Sequence, residues 1–192
     1  MPTKAPPFDP DESRYLDDNL ELHQIKRLTN RLQRAVIAGD AWRVSARQTL
    51  SDGEEFIIHI VPNEDSGTLH LEAPAVNPDT VANFDVFHDA TPNETVDDLI
   101  IHNQRYDVPH DAIDAMVVRV PDGQLTGGTK TEESRLSADT PRPESGGEAS
   151  RGIWRTVPVG DVISIVITDD SGGNNNEFSL VLTLYEGDIF PD

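Results

Sequence analysis

From residue 41 to the end of this 192-residue chain, the apolar residues recur at every second position. That period of two constrains the fold more than any other feature of the sequence. Trp42, Val44 and Ala46 alternate with Arg43, Ser45 and Arg47. Phe56, Ile58 and Ile60 alternate with Ile57, His59 and Val61, and Leu69, Leu71 and Ala73 with Thr68, His70 and Glu72. Each run predicts a half-buried strand, with His59 and His70 on outward positions. Phe84 and Val86 continue the series, and a β-branched run over 116–120 ends at Pro121. Turn signals separate the runs: Ser51-Asp52-Gly53, Asp65-Ser66-Gly67 and Asp122-Gly123.

Towards the C-terminus, Ile163, Ile165 and Ile167 share one face of a strand, and Phe178, Leu180, Leu182 and Leu184 share one face of the next. The polar cluster between them, residues 169–176, predicts a hairpin turn. Residues 125–152 hold glycine, serine, threonine, proline and glutamate with almost nothing to bury, which predicts a long mobile surface loop. Seven or eight short strands punctuated by turns predict a mainly β fold, a jelly-roll-like antiparallel β-sandwich over residues 41–192.

The first 40 residues follow a different rule. Residues 1–11 are rich in proline and charge and predict an extended arm. Over 13–38 the spacing becomes three or four, through Leu16, Leu20, Ile25, Leu28, Leu32, Ala35 and Val36, and Gly39 supplies a stop. This amphipathic helix carries Lys26, Arg27, Arg31 and Arg34 on its other face.

Charge is distributed unevenly between these regions. Acidic residues number 35 and basic residues 15, for a formal net charge of −20. Residues 1–47 hold eight basic and seven acidic residues, and the remainder seven and 28. A basic helix on an acidic body predicts an attachment element that meets a negative surface, the plainer reading being a helix packed on its own domain with a solvated basic face. The acidity disfavours nucleic acid as a partner.

Only Lys4, Lys26 and Lys130 are lysine. An acidic, lysine-poor composition resembles that of proteins from extremely halophilic archaea and their viruses, since about 1 M salt shortens the Debye length to roughly 3 Å and screens the self-repulsion. No run approaches the length of a membrane span, so no membrane partner is expected, and the first residues read as no secretory leader. There is no cysteine, which excludes disulfides, thiolate metal sites and a thiol nucleophile.

Motifs that carry chemistry are few. A cupin-like metal site needs a close histidine pair with a glutamate, and the surroundings of His59 and His70 lack it. There is no G-x-S-x-G elbow, and the glycines between Gly123 and Lys130 lack phosphate-loop spacing. Two acidic stretches offer oxygen ligands for calcium, residues 169–177 and the set Asp107, Asp111 and Asp114, although the first is sufficiently explained as a turn. Asn93-Glu94-Thr95 is a glycosylation sequon. The expectation is no catalytic residue, no resident metal and no cofactor.

The order of segments from Leu50 onward resembles a family of small β-sandwich head proteins, the decoration or minor capsid proteins of tailed double-stranded DNA viruses. The residues that carry the resemblance begin with the turn and strand from Asp52-Gly53 to His59-Ile60, followed by Thr68-Leu69-His70-Leu71 and Phe84-Asp85-Val86-Phe87-His88. They continue with a polar segment around Asn103 and Arg105, Trp154 ahead of Pro158, and a closing Ser-Leu-x-Leu-x-Leu-Tyr-Glu that ends at Glu186. The family's repeated Asn-Arg pairs are here reduced to Asn103 and Arg105, and the N-terminal helix is outside the common pattern.

The resemblance implies a non-enzymatic, trimeric jelly-roll-like protein on the outside of an icosahedral head, bound to the major capsid protein. Because ion pairs weaken in molar salt, the capsid contact is expected to rest first on Phe8, Tyr15, Leu16 and Leu20, and second on Lys26, Arg27, Arg31 and Arg34. The alternatives are a receptor- or carbohydrate-binding module of a virion spike or turret, using exposed aromatics such as Tyr106 and Phe87, and a cupin-like jelly-roll enzyme.

Overall fold

Two antiparallel sheets packed face to face satisfy the alternating pattern, because each strand then buries one of its two side-chain sets. The computed structural model describes residues 32–64, 67–105, 115–137 and 153–187. In these residues a short helix, α1 (residues 32–38), precedes twelve strands. They are β1 (Ala41–Leu50), β2 (Glu55–Pro62), β3 (Leu69–Glu72), β4 (Ala75–Pro78), β5 (Ala82–Pro92), β6 (Asp97–Asp98), β7 (Ile101–Asn103), β8 (Ala115–Val120), β9 (Leu125–Leu136), β10 (Ile153–Val157), β11 (Ile163–Asp169) and β12 (Asn176–Glu186).

The first sheet runs β10-β3-β12-β1-β7, with β4 also paired to β12; the second runs β6-β8-β2-β11-β5-β9. Between them lies one core that includes Trp42, Val44, Phe56, Ile58, Ile60, Phe84, Ile163, Ile165, Phe178 and Leu182. These are the inward positions of the alternating runs, each side chain contributing about 1.5–3 kcal/mol by leaving water. The pairing is nested. β1 pairs with β12, β2 with β11, β3 with β10, β5 with β9 and β6 with β8.

Three sequence expectations change. The 163–184 segment is not a hairpin, because β11 lies in the second sheet between β2 and β5 while β12 lies in the first beside β1. The turn cluster is an arch that crosses from one sheet to the other. Alternation cannot tell the two apart, since a strand buries one face whether its successor pairs beside it or packs opposite it. A second crossing, from β1 to β2 around Asp52 and Gly53, lies against the first. Asp52 N–H donates to Gly173 O at 2.9 Å, Gly53 N–H to Asp169 O at 2.9 Å, and Gly172 N–H to the Asp52 carboxylate at 2.7 Å.

The expected mobile loop over 125–152 is also corrected in its first part, where residues 125–136 form β9 in register with β5 from Ala82↔Leu136 to Pro92↔Leu125. Both faces of β9 are largely exposed, so a strand there requires backbone pairing and only an occasional apolar contact, such as Leu136 in the core. Lys130 adds an ion pair to Asp85 at 2.7 Å. Gly128 has φ +77°, and a Cβ there would lie 2.8 Å from Ala90, so the close approach of β9 to β5 needs a glycine. Residues 138–152 lie outside the described residues.

The third change concerns exposure. His59 and His70 do point away from the inter-sheet core, yet both are buried, at 3% and 5% exposure. On the second sheet the reason is curvature. The β5–β9 ladder passes through Asn93 N–H to Gln124 O and Val96 N–H to Arg119 O into the β6–β8 ladder. The two ends of the sheet therefore meet, and the sheet curls around its own outer face. A second apolar cluster fills the curl, Ile57, Val120 and Val166 with Phe87 and Leu125 packed against them. On the first sheet, α1 covers one end of the outer face through Leu32 and Ala35 against Ala41 and Tyr185, and Tyr185 is in register with His70.

Candidate functional site

The attachment element read from the sequence is only partly within the described residues. Phe8, Tyr15, Leu16, Leu20, Lys26, Arg27 and Arg31 lie outside them, and Arg34 stands exposed on α1. The helix ends as its sequence requires: Gly39, at φ 94°, lets its own N–H reach Val36 O at 3.3 Å and the Asp40 N–H reach Ala35 O at 2.9 Å. Leu32, Ala35 and Val36 face the sheet, leaving Arg34 and Ile37 outward.

Asn103 and Arg105, singled out by the resemblance, act on this helix. The Asn103 side-chain amide donates to Gly39 O, and the Arg105 guanidinium donates to Ile37 O at 2.8 Å. Arg105 N–H in turn donates to the Asn103 side-chain oxygen at 2.7 Å. Two carbonyls at the end of α1 thus find donors on the last residue of β7 and on the segment that follows it, which fixes how the helix stands on the sandwich.

Both buried histidines join neighbouring strands. His59 Nδ1 lies 2.8 Å from Ser164 Oγ, and Ser164 is fully buried. A serine–histidine pair sealed in this way holds β2 to β11 and offers a substrate no approach. His70 accepts from Thr156 Oγ1 at 3.1 Å and donates through Nε2 to Gly187 O at 3.1 Å, which ties β3, β10 and the end of β12 together. The two histidines lie on different sheets. Among the described residues no group of three or more His, Asp or Glu side chains is placed to hold a metal ion.

The first acidic stretch considered for calcium is a self-satisfied arch. Asp169, at 1% exposure, accepts from Ser171 N–H at 3.0 Å and from the Asn176 amide at 2.6 Å. Asp107, Asp111, Asp114 and Tyr106 lie outside the described residues. Phe87 is half-buried, with the Lys130 ammonium 5.6 Å from its ring centre. Asn93 is exposed on the turn between β5 and β6. Among the described residues no helix is long and apolar enough to cross a membrane.

Burial pushes the His59 imidazole below its ordinary value. The unfolded chain takes up that proton near the ordinary value of about 6.5, and the folded chain only at lower pH. His59 therefore supports the fold fully above about pH 6.5, and stability declines as pH falls from there to the lowered value. At fixed salt, the unfolding midpoint of the wild-type chain is expected to fall more steeply between about pH 7.5 and about pH 5.5 than that of His59→Gln. Equal slopes would assign the acid sensitivity to other groups.

Ile37, which the sequence reading left out of the helical stripe and did not single out, stands 70% exposed, while Leu32 and Ala35 pack against Ala41 and Tyr185. No family model matches the chain, and no curated protein matches it.

Proposed function

We propose that the chain is a non-enzymatic structural protein of a virion, a decoration or minor capsid protein of a tailed haloarchaeal virus. It associates with copies of itself as a trimer and binds the major capsid protein on the outer surface of an icosahedral head. The observation that carries this reading is the strand order. With β4, β6, β7 and β8 set aside, the remaining eight strands run β1-β12-β3-β10 in one sheet and β2-β11-β5-β9 in the other. That order, with first strand on last and second on second-last, supports a jelly roll, a long antiparallel ribbon wrapped into two sheets.

A fold alone does not assign a function. Support also comes from the composition, 35 acidic residues against 15 basic with three lysines, which suits molar salt. The mounting of α1 adds to it: Asn103 and Arg105 hold the helix on the outer face of the first sheet.

A chain lacking residues 1–31 but keeping α1 tests the reading. Its unfolding midpoint is expected to stay within about 3 °C of the full chain, because the cover over Ala41 and Tyr185 is retained. Its incorporation into virions is expected to drop by roughly tenfold or more, since the apolar anchors are gone. Undiminished incorporation rejects the arm as the anchor.

A further inference from the structure

Only at Asn93 is an asparagine of this chain followed two positions later by serine or threonine, in Asn93-Glu94-Thr95, and no proline stands between them. The fold places that tripeptide on an exposed connection at the margin of the second sheet. β5 ends at Pro92, and its ladder with β9 continues through Asn93 N–H to Gln124 O at 2.7 Å. Val96 N–H then donates to Arg119 O at 3.0 Å, just ahead of β6. Glu94 and Thr95 span the interval between these two backbone bonds, and every residue from Asn93 to Val96 is exposed. The backbone of the tripeptide is therefore pinned at both ends while its side chains face solvent.

The two side chains that matter are free to react and to be read. Asn93 Oδ1 accepts from Thr126 Oγ1 at 3.4 Å, and neither hydrogen on Asn93 Nδ2 has a partner among the described residues. The Thr95 hydroxyl is likewise bonded to none of them. Apolar side chains lie along the same margin. Val96 is 54% exposed, and Leu99 N–H donates to Val117 O at 2.8 Å, which brings Ile100, 67% exposed, beside Met116. Concentrated salt strengthens the tendency of such side chains to be covered, and a hydrated sugar chain on Asn93 would rise next to Val96.

We infer that Asn93 is a glycosylation site, its Nδ2 taking a sugar from a donor activated by a phosphate ester. In the transfer a bond forms between Nδ2 and the anomeric carbon of the donor sugar, while the bond from that carbon to the phosphate oxygen breaks. The phosphate departs with the electron pair, one Nδ2 proton passes to a base of the transferase, and nothing is oxidised or reduced. Thr95 supplies the hydroxyl that the transferase recognises at the third position. The inference goes beyond the proposed function and does not depend on it.

Mass spectrometry of the full chain, purified from the cells that naturally make it, tests the site. The intact mass is expected to exceed that of the sequence by whole sugar residues, and proteolytic fragments to place the excess on the peptide that holds Asn93. In the same cells Asn93→Gln and Thr95→Ala are expected to return the mass to that of the sequence, whereas Thr95→Ser keeps the hydroxyl and the added mass. Both positions face solvent, so circular dichroism of the variants is expected to match wild type. Cells in which assembly of lipid-linked sugars is blocked distinguish the donors: loss of the sugar there identifies a lipid-linked donor, and its retention a nucleotide-linked one. A native chain at the mass of its sequence, an excess confined to other peptides, or a Thr95→Ala chain that keeps its sugar would each overturn the inference.

Discussion

Replacing Asp169 by alanine is expected to lower the unfolding free energy by about 3 kcal/mol, because it strands two donors at the arch between the sheets. The carboxylate is almost fully buried and accepts from Ser171 N–H and the Asn176 amide. The backbone bonds Gly53 N–H to Asp169 O and Asp169 N–H to Glu54 O survive the change, so the loss belongs to the side chain. Asp169→Asn keeps one acceptor and is expected to cost about half as much. Urea unfolding at fixed salt measures both, and an unchanged dependence on denaturant would place the effect in the native state. A cost for the alanine variant below about 1 kcal/mol would mean that the backbone bonds hold the arch without the carboxylate.

The second large effect is expected at Trp154, where β10 faces β9 across the sandwich. Its ring packs on the core beside Phe84, with centroids 6.5 Å apart, and its indole N–H donates to Glu132 at 3.0 Å. The Arg155 guanidinium lies 5.1 Å from the same ring and is bonded to the same carboxylate at 3.0 Å. Since β10 closes one sheet and β9 the other, this group fastens the two where they would otherwise part. Trp154→Ala is expected to cost about 3–4 kcal/mol. Trp154→Phe retains the packing and leaves Glu132 with Arg155, and is expected to cost about 1 kcal/mol. If the two variants lose equally, the hydrogen bond rather than the ring carries the joint.

Local alternation was enough to locate most of the core strands, because burying Trp42, Phe56, Ile58, Ile163 or Phe178 on one face demands it. It failed where the determinant was not local. Whether β11 meets β12 beside it or across from it depends on which strands claim its edges, and β2 and β5 lie far away in the chain. β9 escaped notice because it has little to bury and is held by β5. Ile57 and His59 look outward by period, and their burial follows from the curl that joins Asn93 to Gln124. The same holds for the surfaces: Arg34 was legible as an exposed basic residue, whereas the pairing of Ile100 with Met116 needs the ladder register and that of Ile37 with Arg105 needs the packed helix.

The partnership of β1 with β12, from Ala41↔Tyr185 to Leu50↔Asn176, also has a consequence for synthesis. A ribosome must release the residues up to 186 before β1 can meet β12, long after β7 is available on its other edge. Contacts so distant in sequence make acquisition of the native state slow. A message that breaks off before codon 176 would yield a product lacking the strand that lies between β1 and β3, unable to assemble the first sheet.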